Sequence, residues 1–204
     1  SGHAAPLHVG AILNDQLFRR CDSVVLTSAT LTTDGSFDYV RDRLSLDDAD
    51  ELRVPSPFNY AHSAMLAITD DVPEPGEQGH QKRLQEAIVE VCTASGGRAM
   101  VLFTSHSALQ STYRAIKRTL ESRNILVLGQ RIDGSPRQLI DRLKSNPKTV
   151  ILGTNSFWEG VDIVGDALSL LVITKLPFPV PSDPVFAARS ELFDDPFVTL
   201  DDDR

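Results

Sequence analysis

Four apolar runs in this chain each stop at a short segment of polar residues, and this repeated pattern restricts the fold more than any other feature. The runs begin at Val24, Met100, Val150 and Leu171, and the segments that follow them are 27–30, 103–106, 153–156 and 174–177. Helical patterns alternate with these runs, which favours a mainly parallel sheet with helices on both faces. Parallel strands end at one edge of their sheet. The sequence therefore predicts an α/β fold whose polar segments crowd along that edge.

The spacing of apolar residues predicts the individual elements. Strands are predicted at 23–26, 64–68, 99–103, 125–128, 149–152 and 169–174, and helices at 9–20, 37–46, 81–94, 107–121, 136–144 and 183–193. Residues 70–79 are rich in proline, glycine and acids, which indicates a surface linker. We therefore expect residues 1–75 to be a strand and a leading segment that pack on the sheet, and residues 76–204 to form the α/β domain.

Composition sets limits on the class of protein. The chain has 204 residues, 41% of them hydrophobic, which suits one ordinary domain or slightly more. A net charge of −8 and a pI near 5.0 suit a soluble cytoplasmic protein and argue against a wholly basic nucleic-acid module, though not against a local basic groove. The two cysteines form no C-x-x-C, so neither a disulfide framework nor a zinc site is expected. The apolar runs are too short for a membrane span.

Several catalytic motifs are missing from the sequence. It has no G-x-x-x-x-G-K-[ST] phosphate loop, no G-x-G-x-x-G, no H-E-x-x-H and no G-x-S-x-G. What remains is an edge of hydroxyls, backbone amides and acids, without a nucleophile or a metal cage. Such an edge suits contacts to phosphates and to the sugar of a nucleotide, and it resembles half of a site.

Four of these segments resemble helicase motifs. Residues 27–31 (Thr-Ser-Ala-Thr-Leu) are similar to motif III, 101–105 to motif IV, 153–162 to motif V, and 176–181 to the stretch that follows motif V. Their order along residues 6–197 resembles the DinG-type branch of superfamily-two DNA helicases, relatives of the XPD-like enzymes. The resemblance implies a RecA-like fold and the second motor domain of a 5′-to-3′ ATP-dependent DNA helicase.

The resemblance also implies cofactors and partners. ATP and Mg²⁺ would be bound mainly by a first RecA-like domain of the same polypeptide, which would also hold any iron–sulfur cluster. Single-stranded DNA is the expected substrate. Motif VI should follow Phe197, but the sequence continues at Val198, so we expect either a skipped segment there or an early end. By itself, this chain is expected to be inactive towards ATP.

Residue roles follow from the same resemblance. DNA contacts are expected at Thr104, Ser105, Thr154, Asn155, Ser156 and Phe157, and either Phe157 or Trp158 would be a platform for base stacking. For the hydroxyl and amide residues the alternative is turn formation. For one of the two aromatic residues, Phe157 or Trp158, the alternative is core packing.

The resemblance assigns two further roles. Glu159, Gly160 and Asp162 are expected to act in catalysis. Glu159 and Asp162 would face the nucleotide or its partner arginines across the domain cleft, and Gly160 would let the backbone pass close by. The alternative is a solvated turn. Coupling of the ATP state to the grip on DNA is expected at Ser28, Ala29 and Thr30, and the alternative for the two hydroxyls is helix capping.

Two other classes of function stay open. One is a non-catalytic nucleic-acid-binding module that keeps the fold and works without ATP. The other is a small-molecule α/β enzyme, which would need a closed apolar pocket with a nucleophile or base, and the sequence shows no motif for one. A parent chain with an intact phosphate loop and motif VI would decide for the helicase.

Overall fold

The computed structural model describes residues 6, 8–154, 157, 163 and 166–177. They fall into two compact units, one within Ser1–Met65 and one within Leu66–Phe178. The roles expected for residues 1–75 and 76–204 stay a prediction, as does the helix predicted at 183–193, which lies outside the described residues. Among the described residues, no helix has the length and apolar character that crossing a membrane requires.

The first unit contains three short helices and little core. They are α1 (Gly10–Gln16), α2 (Asp38–Leu44) and α3 (Tyr60–Ser63), and a 3₁₀ turn at Phe18–Arg20 follows α1. The strands predicted at 23–26 and 64–68 are wrong in this structure, because neither segment is extended into a sheet. A strand needs a neighbouring strand for its backbone hydrogen bonds, and no described strand pairs with either segment. Their side chains stay in solvent, with Val25 85% and Met65 90% exposed.

The second unit contains a parallel sheet, which confirms the predicted α/β class. Its elements are α4 (His80–Ala94), β1 (Ala99–Leu102), α5 (His106–Glu121), β2 (Leu126–Gly129), α6 (Pro136–Ser145), β3 (Thr149–Gly153) and β4 (Leu170–Ile173). The strand order is β2-β3-β1-β4, and every pairing is parallel.

Helices cover both faces of the sheet. Alternate residues of β1 point to opposite faces, so Val101 packs in the cluster with the apolar faces of α4 and α5, while Met100 packs with α6. β1 and β3 are buried along their whole length, as expected of central strands in a parallel sheet. This arrangement fixes which edge of the sheet the polar segments occupy.

Local sequence signals explain where the two crossover helices begin. The Ser105 hydroxyl oxygen accepts a hydrogen bond from the Ala108 amide, which caps α5. At α6, Pro136 follows Ser135 and pre-sets the first turn, and Gln138 completes a capping box with Ser135. Both helices therefore start at the carboxyl edge of the sheet and run back towards its other edge.

The two cysteines give a test of this packing. Cys92 is fully buried in α4, and burial raises the pKa of its thiol to about 12, whereas Cys21 is exposed. Because the thiolate is the reactive form, we expect one thiol of the native chain to react with Ellman's reagent at pH 8, and both to react in urea. In the Cys21→Ser variant no thiol should react before unfolding. Fast reaction of two thiols in the native chain would contradict the described core.

Candidate functional site

The carboxyl ends of three parallel strands lie side by side. Leu102 of β1 is paired with Gly153 of β3 and with Ile173 of β4, so the residues that follow these strands share one edge of the sheet. This confirms the predicted crowding for the segments that contain Thr104, Thr154 and Thr174. Residues 27–30 belong to the other unit, and their place relative to this edge stays a prediction.

The sheet has a topological switch point between β1 and β3. In the strand order β2-β3-β1-β4, the connection after β1 leads to β2 at one end of the sheet. The connection after β3 leads to β4 at the opposite end. Ligands of open α/β sheets bind at such a switch point, just past the carboxyl ends of the strands. Neighbouring strands are roughly 4.8 Å apart, so one extended polymer could touch both strand ends.

Residues after β1 have distinct local roles. Phe103 is buried, and its amide donates to the Gly153 carbonyl over 2.9 Å, which extends the pairing by one residue. Ser105 caps α5, and its hydroxyl also lies 3.2 Å from that of Ser107. Its predicted DNA contact stays a prediction. Thr104 is exposed, and its hydroxyl has no hydrogen-bond partner among the residues that the structure describes, so it is accessible to a ligand.

Thr154, after β3, is bound to a residue of a different strand end. Its amide donates to Oε1 of Gln130 over 2.7 Å, and its hydroxyl lies 3.0 Å from the same oxygen. Gln130 follows β2 and is only 4% exposed. Both donors of Thr154 are therefore used within the protein.

Gln130 lies at this edge and was not among the predicted residues. The sequence carries a signal for it, because Gln130 is a polar residue just past an apolar strand, as Thr104 and Thr154 are. The predicted edge contains only segments with a hydroxyl residue, and the segment after β2 begins with an amide. A long amide side chain reaches across to the next strand end, which the shorter hydroxyls cannot do.

A hydrogen-bonded turn supports the Gln130 backbone. The Asp133 carboxylate accepts from the Gly129 amide over 2.8 Å and from the Tyr113 hydroxyl over 3.2 Å. Burial raises the pKa of Tyr113, and Asp133 raises it further while Lys117 opposes the shift, so the phenol keeps the proton that it donates. The turn after β2 is thereby tied to the middle of α5.

The stacking role predicted for Phe157 is wrong in this structure. Phe157 is 4% exposed and packs in the α6 cluster, so its ring offers no face to a base. The ring fits because Gly153 has no side chain, since a Cβ there would lie 2.5 Å from Cδ2 of Phe157. The core-packing alternative is the correct interpretation for this aromatic residue.

Several predicted site residues lie outside the described residues. They are Asn155, Ser156, Trp158, Glu159, Gly160 and Asp162. Their roles stay predictions that rest on the sequence.

The coupling segment forms a local turn. The Thr30 amide donates to Oγ of Ser28 over 3.2 Å, and the two hydroxyls are 3.3 Å apart. Neither hydroxyl caps a helix, because the next α-helix begins at Asp38. Ser28, Ala29 and Thr30 are all exposed, so the coupling role stays a prediction.

Two cations lie at the edge despite the acidic net charge. Arg131 follows Gln130, Lys175 follows Thr174, and both are exposed. They sit beside hydroxyls and backbone amides, a combination that suits an anionic polymer. No group of three or more metal-ligating side chains is placed to hold an ion within the part of the chain that the structure describes.

Comparison with known proteins identifies the family. Residues 88–199 match the helicase C-terminal domain family, and the chain belongs to it. It is 40% identical to the ATP-dependent helicase DinG of Mycobacterium tuberculosis over 91% of this chain and 28% of that relative. It is 38% identical to a Bacillus subtilis protein named 3'-5' exonuclease DinG, over 93% of this chain and 21% of that relative.

A third relative extends the comparison. The ATP-dependent DNA helicase YoaA of Escherichia coli is 33% identical over 91% of this chain and 29% of that relative. The chain thus spans between about a fifth and three tenths of the length of these relatives. Together with the parallel sheet, these matches confirm the resemblance to DinG-type helicases.

Gly153 provides a stability test of the edge. Gly153→Ala places a methyl group against the Phe157 ring, so we expect a loss of about 1–3 kcal/mol in the free energy of unfolding from overpacking. Phe157→Leu should lower stability by itself by leaving space. In the double variant the two losses should partly cancel, because the added methyl enters that space. Urea unfolding followed by circular dichroism measures all four proteins, and fully additive losses would contradict the contact.

Proposed function

We propose that this chain is the C-terminal motor domain of an ATP-dependent DNA helicase, with the 5′-to-3′ polarity that its motifs imply. The observation that carries the proposal is the parallel pairing of β1 with β3, because it brings the motif IV and motif V segments to one edge. The names of the M. tuberculosis and E. coli relatives support it.

The proposed DNA contacts lie along this edge. Single-stranded DNA passes the ends of β1 and β3, where Thr104 and Ser105 donate to phosphate oxygens and the Asn155–Ser156 segment contributes from β3. Phosphate contacts of this kind position a strand without reading its sequence. Arg131 and Lys175 add local positive charge, so binding should weaken as salt is raised.

ATP and Mg²⁺ would be held mainly by a first RecA-like domain, which would supply the phosphate-binding chemistry. This chain would supply one wall of the cleft through Glu159, Gly160 and Asp162. Their position relative to ATP rests on sequence alone, because they lie outside the described residues. Phosphoryl transfer depends on positioning and on stabilising charge, so a wall without a phosphate loop would be inactive by itself.

The first test compares this chain with the full-length protein that carries it. We expect the chain alone to show no ATPase activity with or without single-stranded DNA, and the full-length protein to show DNA-stimulated ATPase and unwinding. Glu159→Gln and Asp162→Asn in the full-length protein should abolish both activities and largely keep DNA binding. ATPase above background for the isolated chain, or full ATPase activity in both variants, would contradict the assignment.

The same assays separate the alternatives. DNA binding without ATPase by the full-length protein would favour a non-catalytic nucleic-acid module. Shortening of an end-labelled strand in the unwinding assay would favour nuclease activity, which the name of the B. subtilis relative raises.

The second test concerns the grip on DNA. Thr104→Ala removes an exposed hydroxyl that makes no hydrogen bond to any described residue, so we expect unchanged stability and a rise in Kd of about twofold to twelvefold, from the loss of one hydrogen bond of about 0.5–1.5 kcal/mol. The matched control is Thr119→Ala, since Thr119 is an exposed threonine in the last turn of α5, at the other end of the helix. Fluorescence anisotropy of a labelled oligothymidylate gives both values. Equal Kd for Thr104→Ala and wild type would contradict the predicted contact.

A further inference from the structure

We propose that Gln130 is the positioning residue of this edge, and that the Thr154 hydroxyl serves Gln130 and not the DNA. The inference rests on the proposed function, and it changes how motif V would work. In this view Thr154 is held in place at the end of β3 by Gln130, and other residues of the edge contact the DNA directly.

The hydrogen-bond geometry assigns the donors. The Thr154 amide is 2.7 Å from Oε1 of Gln130, and a backbone N–H can only donate. This fixes the oxygen, and not the NH₂ group, of the Gln130 side chain towards Thr154. The Thr154 hydroxyl, 3.0 Å from the same oxygen, must therefore also donate to it.

A phosphate cannot share this arrangement. Phosphate oxygens accept hydrogen bonds, and a threonine hydroxyl has one proton to donate. Because the hydroxyl proton and the amide proton of Thr154 are both donated to Gln130, Thr154 has no proton left to donate to a phosphate oxygen. The exposed Thr104 hydroxyl makes no hydrogen bond to any described residue, so its proton can be donated to a phosphate.

Gln130 is built to hold a fixed position. The backbone N–H of Gln130 donates to the Leu152 carbonyl over 2.9 Å, which continues the β2–β3 pairing. Asp133 closes the turn that contains Gln130, because its carboxylate accepts hydrogen bonds from the Gly129 amide and the Tyr113 hydroxyl. At 4% exposure the Gln130 side chain lies inside the protein, so it is in no position to touch DNA itself. It acts through Thr154.

The test is a double-mutant cycle in the full-length protein with Gln130→Met and Thr154→Val. Each substitution keeps the shape of the side chain and removes one half of the hydroxyl–amide contact. We expect each to raise the Kd for a labelled oligothymidylate about tenfold. The Kd of the double variant should be no higher than that of the Gln130→Met protein. Thr154→Ser, which keeps both donors, should restore most of the affinity lost in Thr154→Val.

Three results of this cycle would overturn the positioning role of Gln130. If Thr154→Val lowers DNA affinity by the same factor in the wild-type and the Gln130→Met backgrounds, the hydroxyl binds DNA directly, and the proposal is overturned. Unchanged Kd in both single variants would overturn it as well. Wild-type protein that binds no single-stranded DNA would overturn the proposed function together with this inference.

A second measurement needs no DNA. Hydrogen exchange of the Thr154 amide in the DNA-free protein should be faster in Gln130→Met than in wild type, and unchanged in Thr104→Ala. If Gln130→Met does not fold, Gln130→Asn takes its place, because it keeps an amide of the same polarity that is one methylene short of Thr154. Equal exchange rates in the Gln130 variant and wild type would contradict the positioning role.

Discussion

The parallel hydrogen bonds between β1 and β3 are the contact on which the rest of this structure depends. Both strands are buried along their whole length, so their backbone groups have only neighbouring strands as partners. The register pairs Leu102 with Gly153 and leaves the segments after both strands at the same height. A shift by one residue would turn Met100 and Val101 to the wrong faces and separate α6 and α5 from their clusters. The same pairing therefore fixes the core and the edge.

Sequence patterns predicted the second unit well because its elements carry strong local signals. The helix predicted at 81–94 is α4 (His80–Ala94), and the helix predicted at 107–121 is α5 (His106–Glu121). The four strands of the sheet were predicted to within one or two residues at each end, since buried apolar runs bounded by turns are typical of parallel strands. The strands predicted at 23–26 and 64–68 failed for a physical reason. An apolar segment forms a strand only when its backbone pairs with a neighbouring strand. Whether such a strand is available cannot be predicted from the apolar content of the segment alone.

The site was harder to predict than the fold. Thr104 and Thr154 look equivalent in the sequence, since each is a threonine just after a buried strand, yet one is exposed and the other is held by Gln130. The difference comes from a residue 24 positions away, which no local pattern reveals. Phe157 shows the same limit, because an aromatic residue in a polar segment suits either stacking or packing. The space beside Gly153 decides between them.

The close approach of the Phe157 ring to Gly153 has a consequence for how such a sequence diverges. Any residue with a Cβ at position 153 meets the ring, so replacing this glycine costs less stability when the aromatic residue four positions later changes with it. The two positions are therefore expected to change together, whereas an exposed residue such as Thr104 can be replaced with no cost to the core. In distant members of the family, the spacing of a glycine and an aromatic residue should outlast the polar residues around it as a mark of descent.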